Sequence, residues 1–198
     1  MQTAPGTGRL ALPALLVGLL ALPLSLPLAL LAAGLGVGIV WFHRDPPRHP
    51  PAAGIVSPAD GRVSVLRREG GRIRVGVFMN VTDVHVNRAP IGETVRSVEH
   101  VPGAHRPAFR KDSDRNERLH VDFDTVRVTL IAGWFARRVH SHVDPGTSVD
   151  RGERIGHVSF GSRADVLLPP KISIDDVTVS EGDTVRAGET VVAKAPDE

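Results

Sequence analysis

One pattern occurs twice near the C-terminal end. Gly146-Thr-Ser-Val149-Asp-Arg-Gly152-Glu153-Arg-Ile155 and Gly182-Asp-Thr-Val185-Arg-Ala-Gly188-Glu189-Thr-Val191 share the spacing of their glycines, valine and glutamate. Glycine permits the positive-φ conformations that tight turns demand, so the repeat predicts short hairpins. Pro90-Ile-Gly-Glu-Thr-Val95 is a partial echo. The surrounding sequence agrees with hairpins. Gly61-Arg-Val-Ser-Val-Leu66 and Arg72-Ile-Arg-Val-Gly-Val-Phe78 alternate polar and apolar residues. Similar runs follow at residues 119–123, 126–131, 165–168 and 176–179. Each is bounded by Gly, Pro, Asp or Asn, as period-2 strands are. No long 3.6-residue period appears after residue 42, and residues 101–116 are polar and irregular, which predicts a loop.

The N-terminal part is different. Residues 10–42 carry no charge, a stretch longer than the ~20 residues that one helix needs to cross a bilayer. Pro13, Pro23 and Pro27 interrupt it. Two forms follow: one kinked helix centred on residues 28–42, or a helical hairpin with arms at 10–22 and 28–42. Each arm is short for a full crossing, which favours the hairpin or two short spans. A cleaved signal peptide is the alternative. Only Arg9 supplies a positive n-region, and the apolar core is overlong and broken by proline. Trp41 and Phe42 suit an interfacial belt, and Arg44 and Arg48 follow. The positive-inside rule then puts the later domain on the cytoplasmic face of the cell membrane. The expected division is a tail at 1–9, a membrane anchor at 10–42, a linker at 43–54 and a β-rich domain at 55–198.

Composition narrows the chemistry. The 198 residues include no cysteine, which excludes disulfides, thiolate nucleophiles and cysteine-ligated zinc. The net charge is +2 and the pI about 9.6. Lysine occurs only at 111, 171 and 194. Arginine pairs bidentately with phosphate, so its excess suits phosphate headgroups, though genome composition explains it equally well. Aromatic residues are 4% with no tyrosine, which argues against a base-stacking nucleic-acid surface. His43 and His49 follow the expected membrane segment, and His140 and His142 straddle a turn. Their spacing does not make a metal site.

Phe160-Gly161-Ser162-Arg163 carries a different possibility. In most chains a Gly-Ser pair is an ordinary loop. In a tight turn, however, the serine hydroxyl can attack the preceding carbonyl and shift the acyl group from nitrogen to oxygen. Elimination from that ester leaves dehydroalanine, and hydrolysis converts the new N-terminus to a pyruvoyl group.

Upstream lie Ser57-Pro-Ala-Asp60-Gly61 and Asp83-Val-His85-Val-Asn-Arg88-Ala-Pro90. With the stretch from Arg151 to Pro169, these motifs resemble the phosphatidylserine decarboxylase family, in its short bacterial and archaeal branch. The resemblance runs from Trp41 to the C-terminal hairpin. It implies self-cleavage between Gly161 and Ser162, giving a larger chain 1–161 and a smaller chain 162–198 that stay associated. It implies a pyruvoyl cofactor made from Ser162, with no metal and no pyridoxal phosphate. The substrate amine would condense with it as a Schiff base, and phosphatidylserine in the membrane would become phosphatidylethanolamine.

The catalytic set it implies is Ser162, His85 and Asp60, with His85 taking the hydroxyl proton and Asp60 fixing the imidazole. Asp83, two residues before His85, is the alternative partner. Arg88 stands where some longer family members carry a second histidine, so that histidine's role does not transfer. Arg88 and Phe160 are candidates for substrate binding, and a surface ion pair is the other reading of Arg88. The repeat resembles the hairpins of lipoyl and biotinyl carriers, in which the valine plugs a barrel. The expected fold is therefore an all-β, barrel-sandwich-like domain with an N-terminal hydrophobic helical membrane anchor. Self-association stays open.

Two other functions compete. A membrane-anchored carrier or adaptor would explain the repeat, but a carrier needs a lysine at a hairpin tip and neither repeat contains one. A serine hydrolase using Asp60, His85 and Ser162 would leave the chain intact. It lacks the Gly-x-Ser-x-Gly elbow, since Arg163 and Ala164 follow Ser162.

Overall fold

The computed structural model describes residues 2–103, 116–133, 139–158 and 162–195. They form two compact units, Met1–Pro47 and Arg48–Glu198.

In the first unit, helices Thr7–Ala21 and Leu26–Phe42 pack against each other. Pro23 lies in the link between them. Pro27 occupies the first turn of the second helix, where a missing N–H leaves no bond unmade. Small residues bring the helices together. A methyl group on Gly18 would stand 3.0 Å from the backbone nitrogen of Ala33, and one on Gly36 would overlap Leu15. Outside the helices, Gln2–Thr3 pairs with Arg44–Asp45.

This corrects the expectation of a membrane anchor at residues 10–42. Among the described residues, no helix is long and apolar enough to cross a membrane. The proline-bounded link splits the apolar stretch into helices of 15 and 17 residues. At 1.5 Å per residue these reach about 22 and 26 Å, short of the ~30 Å hydrocarbon core.

The second unit is built on an antiparallel sheet of seven strands. Their order is Thr184–Val185, Gly61–Glu69, Arg72–Phe78, Arg163–Leu167, Arg127–Ile131, Arg118–Asp122 and Ser97–Val101. A three-stranded sheet joins Val139–Ser141, Arg154–Val158 and Val86–Arg88. Val63, Val75, Val77, Leu130, Val166 and Ile155 are fully buried in one core. These β-branched and aliphatic side chains suit a pleated surface packed on one face. The expected strand at 176–179 is reduced to a single antiparallel bridge, Val177 to Ala193, with Thr178 N–H donating to Val192 O at 3.0 Å. A 3-10 turn, Ile174–Asp176, precedes it, closed by a capping box between Ser173 and Asp176. Most of the expected loop at 101–116 lies outside the described residues.

The sequence repeat is a structural duplication. Gly146 and Gly182 have φ of 89° and 97°, and Gly152 and Gly188 have 79° and 74°. Gly182 N–H donates to Val63 O and Val63 N–H to Asp183 O, at 2.8 and 2.9 Å. Gly146 N–H donates to Val95 O and Val95 N–H to Thr147 O, both at 2.8 Å. The echo at 90–95 is thus the counterpart of residues 58–63 and not a third copy of the glycine hairpin. The duplication places the loop Ser57–Gly61 and the segment Arg88–Pro90 in matching positions. Gly188 N–H donates to Ser57 O at 2.9 Å, and Gly152 N–H to Ala89 O at 2.8 Å.

Gly61 tests how tightly this frame is built. Its φ is +137°, and a methyl group there would lie 2.1 Å from Phe78 O. Gly61→Ala should cost about 3 kcal/mol from backbone strain and overpacking. Gly70 has open space around it, so Gly70→Ala should cost only the milder penalty of a positive φ. Chemical denaturation of both variants checks the contrast.

Candidate active site

Ser162 is fully buried at the head of the strand Arg163–Leu167. That strand is central. Its five residues pair with Arg72–Phe78 on one side and Arg127–Ile131 on the other. The carbonyl of Ser162 accepts the N–H of Met79 at 2.9 Å. Its hydroxyl lies 4.0 Å from Met79 Sδ, and the same sulfur is 3.6 Å from the Nδ2 of buried Asn87.

The motifs converge through Asn87 and its neighbours. Pro58 O accepts Arg88 N–H at 2.9 Å and Asn87 Nδ2 at 3.4 Å. The loop containing Ser57 and Asp60 is therefore held against the segment that follows His85. His85 is buried. Its carbonyl accepts the N–H of Val158 at 3.2 Å, at the end of the strand that leads to Gly161. Its Nδ1 lies 2.9 Å from the backbone carbonyl of Asp83. A carbonyl only accepts, so Nδ1 carries the proton and the ring's lone pair sits on Nε2.

Asp60 is engaged elsewhere. Both of its oxygens accept from Arg48 Nη2, at 2.9 and 2.7 Å, and Oδ1 also accepts Ala187 N–H at 2.8 Å. The physical reason is Arg48, whose side chain is only 6% exposed. A guanidinium taken that far from water needs a carboxylate. His85 Nδ1 instead donates to the backbone carbonyl of Asp83, not to a carboxylate. Arg88 is buried, with Nη1 donating to Gly152 O at 2.8 Å. Phe160 and Gly161 lie outside the described residues.

A second feature was not anticipated from the sequence. Arg163, next to Ser162, is locked to Asp165 by two hydrogen bonds of 2.7 and 3.0 Å. Both residues are buried. Arg74 Nη1 adds a third bond to Asp165 at 2.8 Å and pairs through its other nitrogens with Glu69. Burial disfavours the Arg74 cation, yet the bonds to Glu69 and Asp165 prevail and raise its pKa. The Arg74 hydrogen bond holds the Glu69 carboxyl below the ordinary value. Gly76 pairs with Asp165 across the sheet, and a methyl group there would stand 2.6 Å from Asp165 Oδ1. The signal in the sequence is the Arg163-x-Asp165 spacing, which puts both side chains on one strand face.

A cavity of about 380 Å³ opens beside this site, lined among others by Arg62, Phe78, Asn80 and Asp83. Among the described residues, no group of three or more His, Cys, Asp or Glu is placed to hold a metal ion.

Breaking the ion-pair cluster should be expensive. Asp165→Asn removes the charge that two arginines share and should cost about 3–5 kcal/mol, read as a lower denaturation midpoint. A loss under 1 kcal/mol would mean that the cluster does not hold the strand.

Residues 36–193 match the family described as phosphatidylserine decarboxylase. The chain is 56% identical over 195 residues to a protein of Halobacterium salinarum provisionally named archaetidylserine decarboxylase proenzyme, covering 98% of this chain and 100% of that one. It is 50% identical over 167 residues to the phosphatidylserine decarboxylase proenzyme of Thermobifida fusca, covering 82% and 76%. The phosphatidylserine decarboxylase proenzyme of Streptomyces coelicolor is 47% identical over 167 residues, covering 82% and 75%.

Proposed function

The chain belongs to the phosphatidylserine decarboxylase family, and we propose that it makes its own catalytic carbonyl from Ser162 by cutting itself after Gly161. It is a carboxy-lyase of that family. The substrate in this reading is a serine phospholipid, since the serine headgroup is common to the two substrates named among its relatives. The product carries ethanolamine. The observation that supports the reading best is Ser162 itself, buried and held by its carbonyl at the head of a central strand.

Self-cleavage begins when the Ser162 hydroxyl attacks the Gly161 carbonyl carbon. His85 Nε2 accepts the hydroxyl proton, because Nδ1 is committed to the Asp83 carbonyl. A neutral imidazole with a pKa near the working pH suits that role. The C–N bond breaks, an ester forms, and the same imidazole returns the proton to the Ser162 nitrogen. Loss of the α-proton then expels the Gly161 carboxylate. Water replaces the Ser162 nitrogen, which leaves as ammonia. Asp60 supports this by fixing the loop 57–61 through Arg48 and Ala187.

The residues present fit a pyruvoyl group. It is smaller than serine and keeps the Ser162 carbonyl, which Met79 N–H already holds. That group supplies a carbonyl that condenses with the substrate amine and accepts the electrons left when carbon dioxide departs. The chain's own part is to hold the adjoining backbone carbonyl of residue 162 through Met79 N–H, which orients the group, and to offer a proton from His85. The smaller chain stays in place because Arg163–Leu167 is paired on both edges and Arg163 is tied to Asp165.

On a denaturing gel, wild-type protein should run as fragments 1–161 and 162–198. Ser162→Ala should run as one chain without decarboxylase activity. His85→Ala should slow cutting by about 10²–10⁴-fold, the usual worth of a general base. Normal cutting in His85→Ala would remove His85 from this role.

A further inference from the structure

The cavity beside the site holds a charge that the steps above do not use. Its walls include Gly61, Arg62, Phe78, Asn80, Asp83 and Thr184, and its volume is about 380 Å³. Arg62 is exposed. The nearby arginines are committed: Arg163 and Arg74 to Asp165, and Arg88 to Gly152. Arg62 takes part in none of the ion pairs found among the described residues.

The cavity is tied to the reacting centre by one segment. Phe78 pairs with Arg62 on one side and with Arg163 on the other. Met79, the next residue, holds the Ser162 carbonyl. Asp83, in the cavity wall, gives its own carbonyl to His85 Nδ1. The turn between is closed by Asn80 N–H donating to Asp83 Oδ2 at 2.7 Å.

We propose that Arg62 binds the phosphate of the serine phospholipid headgroup in this cavity. The inference rests on the decarboxylase reading. Chemistry chooses phosphate over carboxylate. Both the amine and the carboxylate must lie at the α-carbon position of residue 162 when carbon dioxide leaves, because they are bonded to the same substrate carbon. The phosphate is set off by a methylene and an ester oxygen, and it alone extends away from that carbon. Arg62 and Arg163 are two strand spacings apart, about 10 Å, a gap that an extended arginine and the headgroup together span. A guanidinium on a phosphate diester gives charge-assisted, bidentate hydrogen bonds. The amide of Asn80 and the hydroxyl of Thr184 add neutral donors to the same wall.

Binding to uncut protein separates this inference from self-cleavage. Calorimetry would compare full-length Ser162→Ala with the double variant carrying Arg62→Ala, using glycerophosphoserine and, separately, inorganic phosphate. Glycerophosphoserine should bind the first and weaken about 10–100-fold in the second, the worth of a hydrogen-bonded charge. In protein with Ser162 intact, Arg62→Ala should raise KM on phosphatidylserine vesicles by a similar factor, with kcat and self-cleavage unchanged. Arg62→Lys should recover part of the loss. Glycerophosphoserine binding that ignores Arg62, or dependence on Arg62 for inorganic phosphate alone, would overturn the assignment. Failure of wild-type protein to cut itself would count against the reading of Ser162 and would leave the calorimetric result to decide Arg62.

Discussion

The hydrogen bond from Met79 N–H to the Ser162 carbonyl is the contact on which the site depends. It fixes one end of the bond system that must react. Arg163, one residue further, is bound twice to Asp165, and its strand is laddered on both edges. A serine in a free loop samples many arrangements. Here it has few, because a shift of Ser162 would have to break a ladder and a buried ion-pair cluster together. Such ordering lowers the entropic part of an intramolecular attack. In the proposed reading, the same ladders would keep the smaller fragment in place after a cut before residue 162.

The duplicated hairpins bring the other motifs to that point. Each pins an upstream segment through paired backbone hydrogen bonds, one at Ser57 and Val63, the other at Ala89 and Val95. The two segments then meet at Pro58 and Arg88. His85 and Asp60 are thereby held in one frame with Ser162 although far apart in sequence. Asp60 is bound to Arg48 and the backbone of Ala187, while the histidine ring donates to a main-chain carbonyl.

Much of this was legible in the sequence, and the limits have physical causes. Alternation in residues 61–78 marks strands because one face is buried, as Val63, Val75 and Val77 are. The glycine repeat marks turns because those positions need positive φ. The motifs around Asp60, His85 and Ser162 carried the resemblance to the family that the chain matches. Hydrogen-bond partners were less legible, since Asp60 and Arg48 are distant in the chain and charge alone does not say which cation a carboxylate takes. The Arg163–Asp165 lock was written in the two-residue spacing, but its burial depends on Arg74 and on the space left by Gly76. The N-terminal stretch shows the opposite error. Hydropathy suggested a membrane anchor, whereas helix length is set by the link between the two helices, and neither is long and apolar enough to cross a membrane.

The account stands on the chemical nature of residue 162 in mature protein. The most direct measurement is the mass of the fragment that begins there, before and after borohydride. A pyruvoyl end makes that fragment lighter than the encoded sequence by the elements of ammonia, and borohydride adds two hydrogens. A fragment with the encoded mass and a free seryl amine, or an undivided chain of full mass, would contradict it.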